Sequence, residues 1–336
     1  MTPPEGRVPA EQEYTERESA EREPAEQEHT ERESSGEQEY RAGFACVVGR
    51  PNAGKSTLTN ALVGEKVAIT SSRPQTTRRI IRGIVHRPEG QVVLVDTPGL
   101  HRPRTLLGER LNDLVTETLS EVDAIVFCLP ADQAVGPGDR YIAGQLAGTD
   151  TPVVAVVTKT DAVRKATVAE HLLAVSELGD WADIVPVSAL QDDQLDVLVE
   201  VLFKHLPPSP PLYPEGHLTD EPEAVMVAEL VREAALEGVR DELPHSLAAV
   251  VEEIVERDKP AKDGRPMLDV RVNLFVERDS QKGIVIGTKG ARLRDVGTRA
   301  RQGIEALLGA AVYLDLHVKV AKDWQRDPKQ LHRLGF

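Results

Sequence analysis

The sequence predicts an α/β domain, a mostly parallel sheet with helices on both faces, followed by a smaller α+β domain. Three observations carry that prediction. Short apolar runs alternate with amphipathic stretches from residue 44 to residue 205. One of these runs, 44–48, leads into Gly49-Arg50-Pro51-Asn52-Ala53-Gly54-Lys55-Ser56, a Gly-rich loop that belongs between a strand and a helix. A Pro-rich break at 207–211 then ends the alternation, and a different order of elements begins.

Taken in order, residues 1–40 form an acidic, biased segment. The stretch 11–19 returns nearly unchanged at 26–34, with almost no apolar side chains. Such a composition buries too little surface to offset ordering entropy, so disorder is expected. Strands are expected at 44–48, 80–86, 91–95, 123–129, 153–157 and 184–187, and helices near 55–63, 106–119, 138–147, 165–178 and 192–205. Ligands of such a sheet sit at the carboxyl ends of its strands. The run 207–222 is rich in Pro and Gly and reads as a semi-rigid linker. Beyond it come an amphipathic helix at 221–236, strands at 246–256 and 267–276 joined by a polar turn, a Gly-x-x-Gly turn, a helix over 292–308 and a strand over 312–320. The divisions expected are a tail (1–40), a nucleotide domain (41–206), a linker (207–222), a second domain (223–325) and a C-terminal tail (326–336).

The net charge of −15 is unevenly placed. Residues 1–40 hold 13 Glu and 4 Arg, whereas residues 265–336 hold 14 Lys and Arg against 8 Asp and Glu. A basic end on an acidic protein points to nucleic acid or an anionic surface. No apolar run approaches the roughly 20 residues of a membrane span, and the N-terminus lacks a secretory pattern, so a cytoplasmic location is expected. Cys46 and Cys128 lie in apolar runs and are expected to be buried, reduced thiols. The nine His show no zinc-type spacing with them.

The chemistry concentrates after strand ends. In residues 49–56 the glycines let main-chain N–H groups surround an anion at a helix N-terminus. Lys55 would reach the β- and γ-phosphates, Ser56 would bind Mg²⁺, and Thr57 continues the site. Asp96-Thr97-Pro98-Gly99 suits Mg²⁺ through water at Asp96 and a γ-phosphate at the Gly99 N–H. Between these motifs, Gln75-Thr76-Thr77 offers a hydroxyl that completes the Mg²⁺ shell only when the γ-phosphate is present. Thr158-Lys159-Thr160-Asp161 places a carboxylate to accept from guanine N1 and N2, and Val187-Ser188-Ala189 places a backbone N–H at O6. Together these select GTP over ATP. Leu100 stands where water-orienting GTPases carry Gln, so slow intrinsic hydrolysis is expected and no catalytic side chain is assigned. Asn52 would either hold a monovalent cation such as K⁺ near the phosphates or shape the loop by local hydrogen bonds. In the second domain, Gly287-Thr288-Lys289-Gly290 between helices lets a nucleic-acid backbone approach closely. With Arg292, Arg294, Arg299 and Arg301 beside it, a KH module clamping about four unpaired nucleotides is expected.

These residues resemble the Era family of bacterial GTPases. The segments that carry the resemblance are GRPNAGKSTLTNALVG, SSRPQTTRRIIRGI, VDTPGLH, TKTD, VSA, ERDSQKGIVIGTKGARLRDVGTRAR and VYLDLHVKVAKDW, within about residues 43–325. The resemblance implies a P-loop GTPase domain followed by a type II KH domain. It implies binding to the 3′ end of 16S ribosomal RNA and assistance to 30S subunit assembly, with peripheral membrane association. Thr77 would be the sensor hydroxyl. A monomer is expected. Two features depart from the family pattern: Thr158 replaces the usual Asn, and the Glu-rich tail is extra. Two other readings stay open, an RNA- or membrane-docked GTP/GDP-binding regulator with negligible turnover and a GTPase acting on another RNA.

Overall fold

The continuous apolar runs of the first domain become strands buried on both faces. In the computed structural model, which describes residues 39–71, 73, 76–100, 103, 105–239 and 243–336, the first domain runs β1 (Arg41–Val48), α1 (Lys55–Val63), β2 (Ile81–Arg87), β3 (Gly90–Asp96), α2 (Leu106–Leu119), β4 (Ala124–Pro130), α3 (Pro137–Leu146), β5 (Val153–Thr158), α4 (Lys165–Ser176), β6 (Asp183–Pro186) and α5 (Leu195–His205). The sheet order is β2-β3-β1-β4-β5-β6. All pairs are parallel except β2 with β3. Every residue of β3, β4 and β5 is buried, as expected for strands covered by helices on both sides. One apolar layer joins Val47 and Val126 to Leu58 of α1 and Leu198 and Leu202 of α5. The other joins Cys46 and Phe127 to Val115 of α2, Ile142 of α3 and Val175 of α4. Both cysteines are buried and unpaired with each other. Burial pushes each thiol up to about 12, which makes them unreactive.

The run 207–222 is strapped to the sheet instead of hanging as a spacer. Ala42 N–H donates to the Pro207 carbonyl, and Ile84 N–H donates to the Leu218 carbonyl at 2.9 Å. The buried Gln91 Oε1 accepts from both Leu212 N–H and Tyr213 N–H, at 2.8 and 2.9 Å. Arg82 pairs with Asp220 at 3.2 Å.

The second domain runs α6 (Glu223–Leu236), α7 (Leu243–Ser246), β7 (Ala248–Glu256), β8 (Met267–Val276), α8 (Asp279–Ile286), α9 (Ala291–Leu308) and β9 (Ala311–Val320), ending in α10 (Pro328–Arg333). Its sheet is β7-β8-β9, with β7 antiparallel and β9 parallel to β8. Apolar residues of α6, α9 and the three strands form its core. The strand expected from Ser246 starts at Ala248, because Ser246 closes a helical turn onto the Leu243 carbonyl.

Residues 326–336, expected as a tail, are folded. Asp327 caps α10 by accepting from Lys329 N–H at 2.8 Å, and Pro328 opens the helix. Trp324, Leu331 and Leu334 are buried against Leu107 and Leu111 of α2. Residues 39–336 therefore make one compact unit. Residues 1–38 of the expected acidic tail lie outside the described residues.

Candidate functional site

The loop between β1 and α1 is shaped by left-handed backbone at Asn52 (φ 63°) and Gly54 (φ 92°). A side chain at Gly49 would place its Cβ 2.8 Å from the Cys128 carbonyl. Lys55, the first residue of α1, is buried and donates from Nζ to the Gly49 and Arg50 carbonyls, each at 3.2 Å. Burial lowers its pKa, and the Asp96 carboxylate works against that shift. Arg50 turns its guanidinium to Asp139 (3.1 Å) and Gln133 (2.8 Å), so its backbone alone serves the loop. Gly99 crosses the loop so closely that a Cβ there would sit 2.8 Å from Pro51 N. Thr97 Oγ1 donates to the Val47 carbonyl at 2.8 Å, which ties the end of β3 to β1. Pro98 is buried beside it. Leu100 packs into the apolar layer with Val115 and Phe127 and turns away from the loop.

Ser56 Oγ and Thr77 Oγ1 lie 2.8 Å apart, although 21 residues separate them. Asp96 is fully buried beside them, and neither of its carboxylate oxygens has a hydrogen-bond partner. Burial pushes its pKa up to about 6, opposed by Lys55 and by the nearby Ser56 and Thr77 hydroxyls. An unpartnered buried carboxylate with two hydroxyls is an all-oxygen set, which fits a hard cation of the Mg²⁺ type. Ser56 and Thr77 would hold it directly and Asp96 through water. Thr76 is also buried, with Oγ1 donating to the Arg73 carbonyl at 2.7 Å. Gln75 lies outside the described residues.

A cavity of about 300 Å³ opens beside the loop, lined by Gly54, Thr57, Thr158, Lys159, Asp161 and Ala189 among others. Asp161 Oδ1 accepts from Ser188 Oγ at 2.6 Å, which orients the carboxylate. Thr160 N–H donates to the Val187 carbonyl at 3.3 Å, joining the two base-side loops. Ser188 and Asp193 exchange two backbone hydrogen bonds that hold the turn around Ala189. The Val187 side chain belongs to the core. Lys159 adopts left-handed backbone (φ 58°) and its ammonium meets Asp132 at 3.1 Å, a partner the sequence gave no sign of. Thr158 Oγ1 donates to the Ala53 carbonyl at 2.6 Å and braces the phosphate loop.

In the second domain the turn 287–290 has positive φ at Gly287, Lys289 and Gly290. A Cβ on Gly287 would sit 2.7 Å from Arg292 Cβ. Thr288 and Lys289 are exposed. A groove of about 340 Å³ runs from Gly290 between α9 and β9, with Leu293, Leu316, Arg294, Arg301 and Tyr313 along it. This corrects the expectation for two arginines. Arg292 donates to the Ala235 and Glu237 carbonyls at the end of α6, and Arg299 pairs with Glu237 and Asp295. Residues 292 and 299 are two helical turns apart and share the face toward α6, while 294 and 301 share the groove face.

The two domains meet through residues absent from the sequence-based site. Arg78 is buried and donates to the Leu247 and His245 carbonyls, both at 2.8 Å, with its guanidinium 5.8 Å from the Trp324 ring centre. Arg232 donates to the Thr76 carbonyl and pairs with Glu229 at 2.5 Å. Glu233 accepts from Thr70 N–H at 2.8 Å. A buried Arg has no signature in sequence, since Arg is ordinarily exposed.

An anion cradle, an oxygen cation set and a carboxylate-lined purine cavity at one sheet edge define a P-loop GTPase, here joined to a KH-type fold. Family models match the same division: residues 44–159 match the 50S ribosome-binding GTPase family and residues 242–325 match the KH domain. The chain is 67% identical over 307 residues to GTPase Era of Streptomyces coelicolor, covering 89% of this chain and 96% of that one. It is 66% identical over 301 residues to GTPase Era of Mycolicibacterium smegmatis, covering 89% and 99%. A crystal structure of Era in complex with MgGDPNP and nucleotides 1506–1542 of 16S ribosomal RNA superposes with TM-score 0.83 at 37% identity, covering 88% of this chain and 99% of that one. A variant of Aquifex aeolicus Era bound to GDP.AlF4⁻ gives TM-score 0.82, with the same identity and coverage. The chain belongs to the Era GTPase family.

Proposed function

We propose that this GTPase binds the 3′ end of 16S ribosomal RNA through its KH domain, assists maturation of the 30S subunit, and leaves when GTP is hydrolysed. One observation carries the reading. The segment that presents Thr77 to Ser56 is the segment the second domain holds, through the Thr76 carbonyl and the Arg78 side chain on either side. A γ-phosphate that draws Thr77 toward the cation therefore pulls on contacts of the KH domain. The Era neighbour solved with 16S nucleotides supports the choice of RNA.

When bound, Mg²⁺ neutralises charge on the β- and γ-phosphate oxygens. Lys55 and the loop N–H groups stabilise the charge that develops as the γ-phosphate leaves. Leu100, seated in the apolar layer, orients no water. Slow turnover raised by bound RNA, and by K⁺ near Asn52 at the phosphate pocket, belongs to the same proposal. So do a monomeric state, a cytoplasmic location and peripheral contact with an anionic membrane. Among the described residues no helix is long and apolar enough to cross one.

The test is GTP hydrolysis with and without RNA matching the 16S 3′ end, in K⁺ and in Na⁺. Stimulation by that RNA is expected, and absence of RNA binding would defeat the assembly role. Leu100 also favours a second reading, a GTP/GDP-binding regulator with negligible turnover. Single-turnover hydrolysis separates the two.

A further inference from the structure

The base cavity contains a hydroxyl where a purine edge must pass, and its only proton is already committed. Thr158 is buried and its Oγ1 donates to the Ala53 carbonyl at 2.6 Å. A threonine hydroxyl has one hydrogen and two lone pairs. Ala53 lies in the phosphate loop, while Asp161 and Ala189 lie at the other end of the cavity. Around guanine, the N2–N1 edge is followed by O6, then N7, then the five-membered ring that carries the ribose and phosphates. With Asp161 at N1 and N2 and the Ala189 N–H at O6, the next position toward the phosphate loop is N7, and Thr158 occupies it. The Ala189 N–H has no protein acceptor among the described residues, which leaves it for O6. Lys159, the neighbouring cation, is directed to Asp132 at 3.1 Å.

N7 of guanine is an acceptor. Thr158 faces it with lone pairs only, so no hydrogen bond forms between them. A carboxamide at 158 would differ: its NH₂ carries two hydrogens, one for the Ala53 carbonyl and one for N7. We infer that this GTPase recognises guanine by its N1, N2 and O6 groups and leaves N7 unread at residue 158. Its substrate class then includes guanine nucleotides altered at position 7. In 7-deazaguanine the nitrogen becomes a C–H, which offers the Thr158 oxygen a weak donor instead of a second acceptor. Discrimination against adenine is untouched, because it resides in Asp161 and the Ala189 N–H.

The inference rests on the guanine reading of the cavity, and calorimetry of the full chain with Mg²⁺ tests the two separately. GDP and 7-deaza-GDP are titrated into the natural protein and into Thr158→Asn and Thr158→Val. In the natural protein the two nucleotides are expected to bind within about twofold of each other, an N7 hydrogen bond being otherwise worth roughly two- to tenfold. Thr158→Asn is expected to tighten GDP by that factor and to create a preference for GDP over 7-deaza-GDP. Thr158→Val loosens the phosphate loop for both ligands equally and keeps their ratio near one. A preference of the natural protein for GDP beyond about threefold would overturn the inference. Loss of binding of both nucleotides to the natural protein would overturn the guanine site itself.

Discussion

Replacing Arg78 by Met should release the Trp324 end of the second domain while leaving the nucleotide site built. The substitution keeps an unbranched apolar stem beside Trp324 and removes the guanidinium. Two hydrogen bonds are lost, to the carbonyls of His245 and Leu247 at 2.8 Å each, together with the cation–π contact at 5.8 Å. Hydrogen bonds from a charged donor contribute about 1.5–3 kcal/mol each, and a desolvated cation–π contact about 2 kcal/mol. Against this stands the several kcal/mol needed to keep a guanidinium out of water. The balance is a loss of roughly 3 kcal/mol, on the order of 100-fold in the ratio of docked to undocked forms. The chain has two tryptophans, and Trp181 lies on the far layer against Phe127. In a Trp181→Phe background, Trp324 is the only indole and is fully buried, donating to the Ser246 carbonyl at 3.0 Å. Arg78→Met should shift its emission to longer wavelength and open it to iodide quenching, with GDP affinity kept within a few-fold. Blue, unquenched emission equal to the parent's would refute the role given to Arg78.

Three further outcomes are expected. Gly99→Ala forces a Cβ to within 2.8 Å of Pro51 N, and overpacking of about 1–3 kcal/mol should weaken a non-hydrolysable GTP analogue roughly tenfold or more; unchanged affinity by calorimetry would contradict the geometry. His171 is buried with Nε2 unpartnered, and burial lowers its pKa from 6.5. The unfolded chain therefore takes up the proton first as pH falls, so this contribution is present above 6.5 and is lost on acidification. His171→Leu should flatten the urea midpoint between about pH 7 and pH 5, and an unchanged slope would count against this. Arg294→Ala should weaken single-stranded RNA binding and reduce its salt dependence by about one ion. Arg292→Ala should lower the melting temperature and leave RNA affinity within about twofold, and the reverse pattern would restore the face assignment read from sequence.

The parallel sheet was legible because β3, β4 and β5 are uninterrupted apolar runs that can only be buried on both sides. The phosphate loop, Asp96 and the 158–161 and 187–189 segments were legible because each is a short motif at the end of such a run. What stayed hidden depends on partners distant in sequence. Trp324, Leu331 and Leu334 are too sparse to declare a core by themselves, and their partners Leu107 and Leu111 lie more than 200 residues earlier. The strap at 207–222 is held by one buried side chain, Gln91, that no local pattern marks. Arg292 and Arg299 differ from Arg294 and Arg301 only in helical phase, which has meaning once β9 and α6 are placed on either side of α9. Arg78 and Arg232 are buried cations, against the usual placement of their residue type.

The central claim is that the Thr77 segment transmits the state of the nucleotide to the RNA clamp. The most direct measurement is the dissociation constant of a fluorescent oligonucleotide matching the 16S 3′ end, taken with a non-hydrolysable GTP analogue and with GDP, at one fixed salt concentration. The account predicts binding at least fivefold tighter with the analogue, within the ordinary range of such coupling, and loss of that difference in Thr77→Ala. Equal dissociation constants in the two nucleotide states of the natural protein would contradict it.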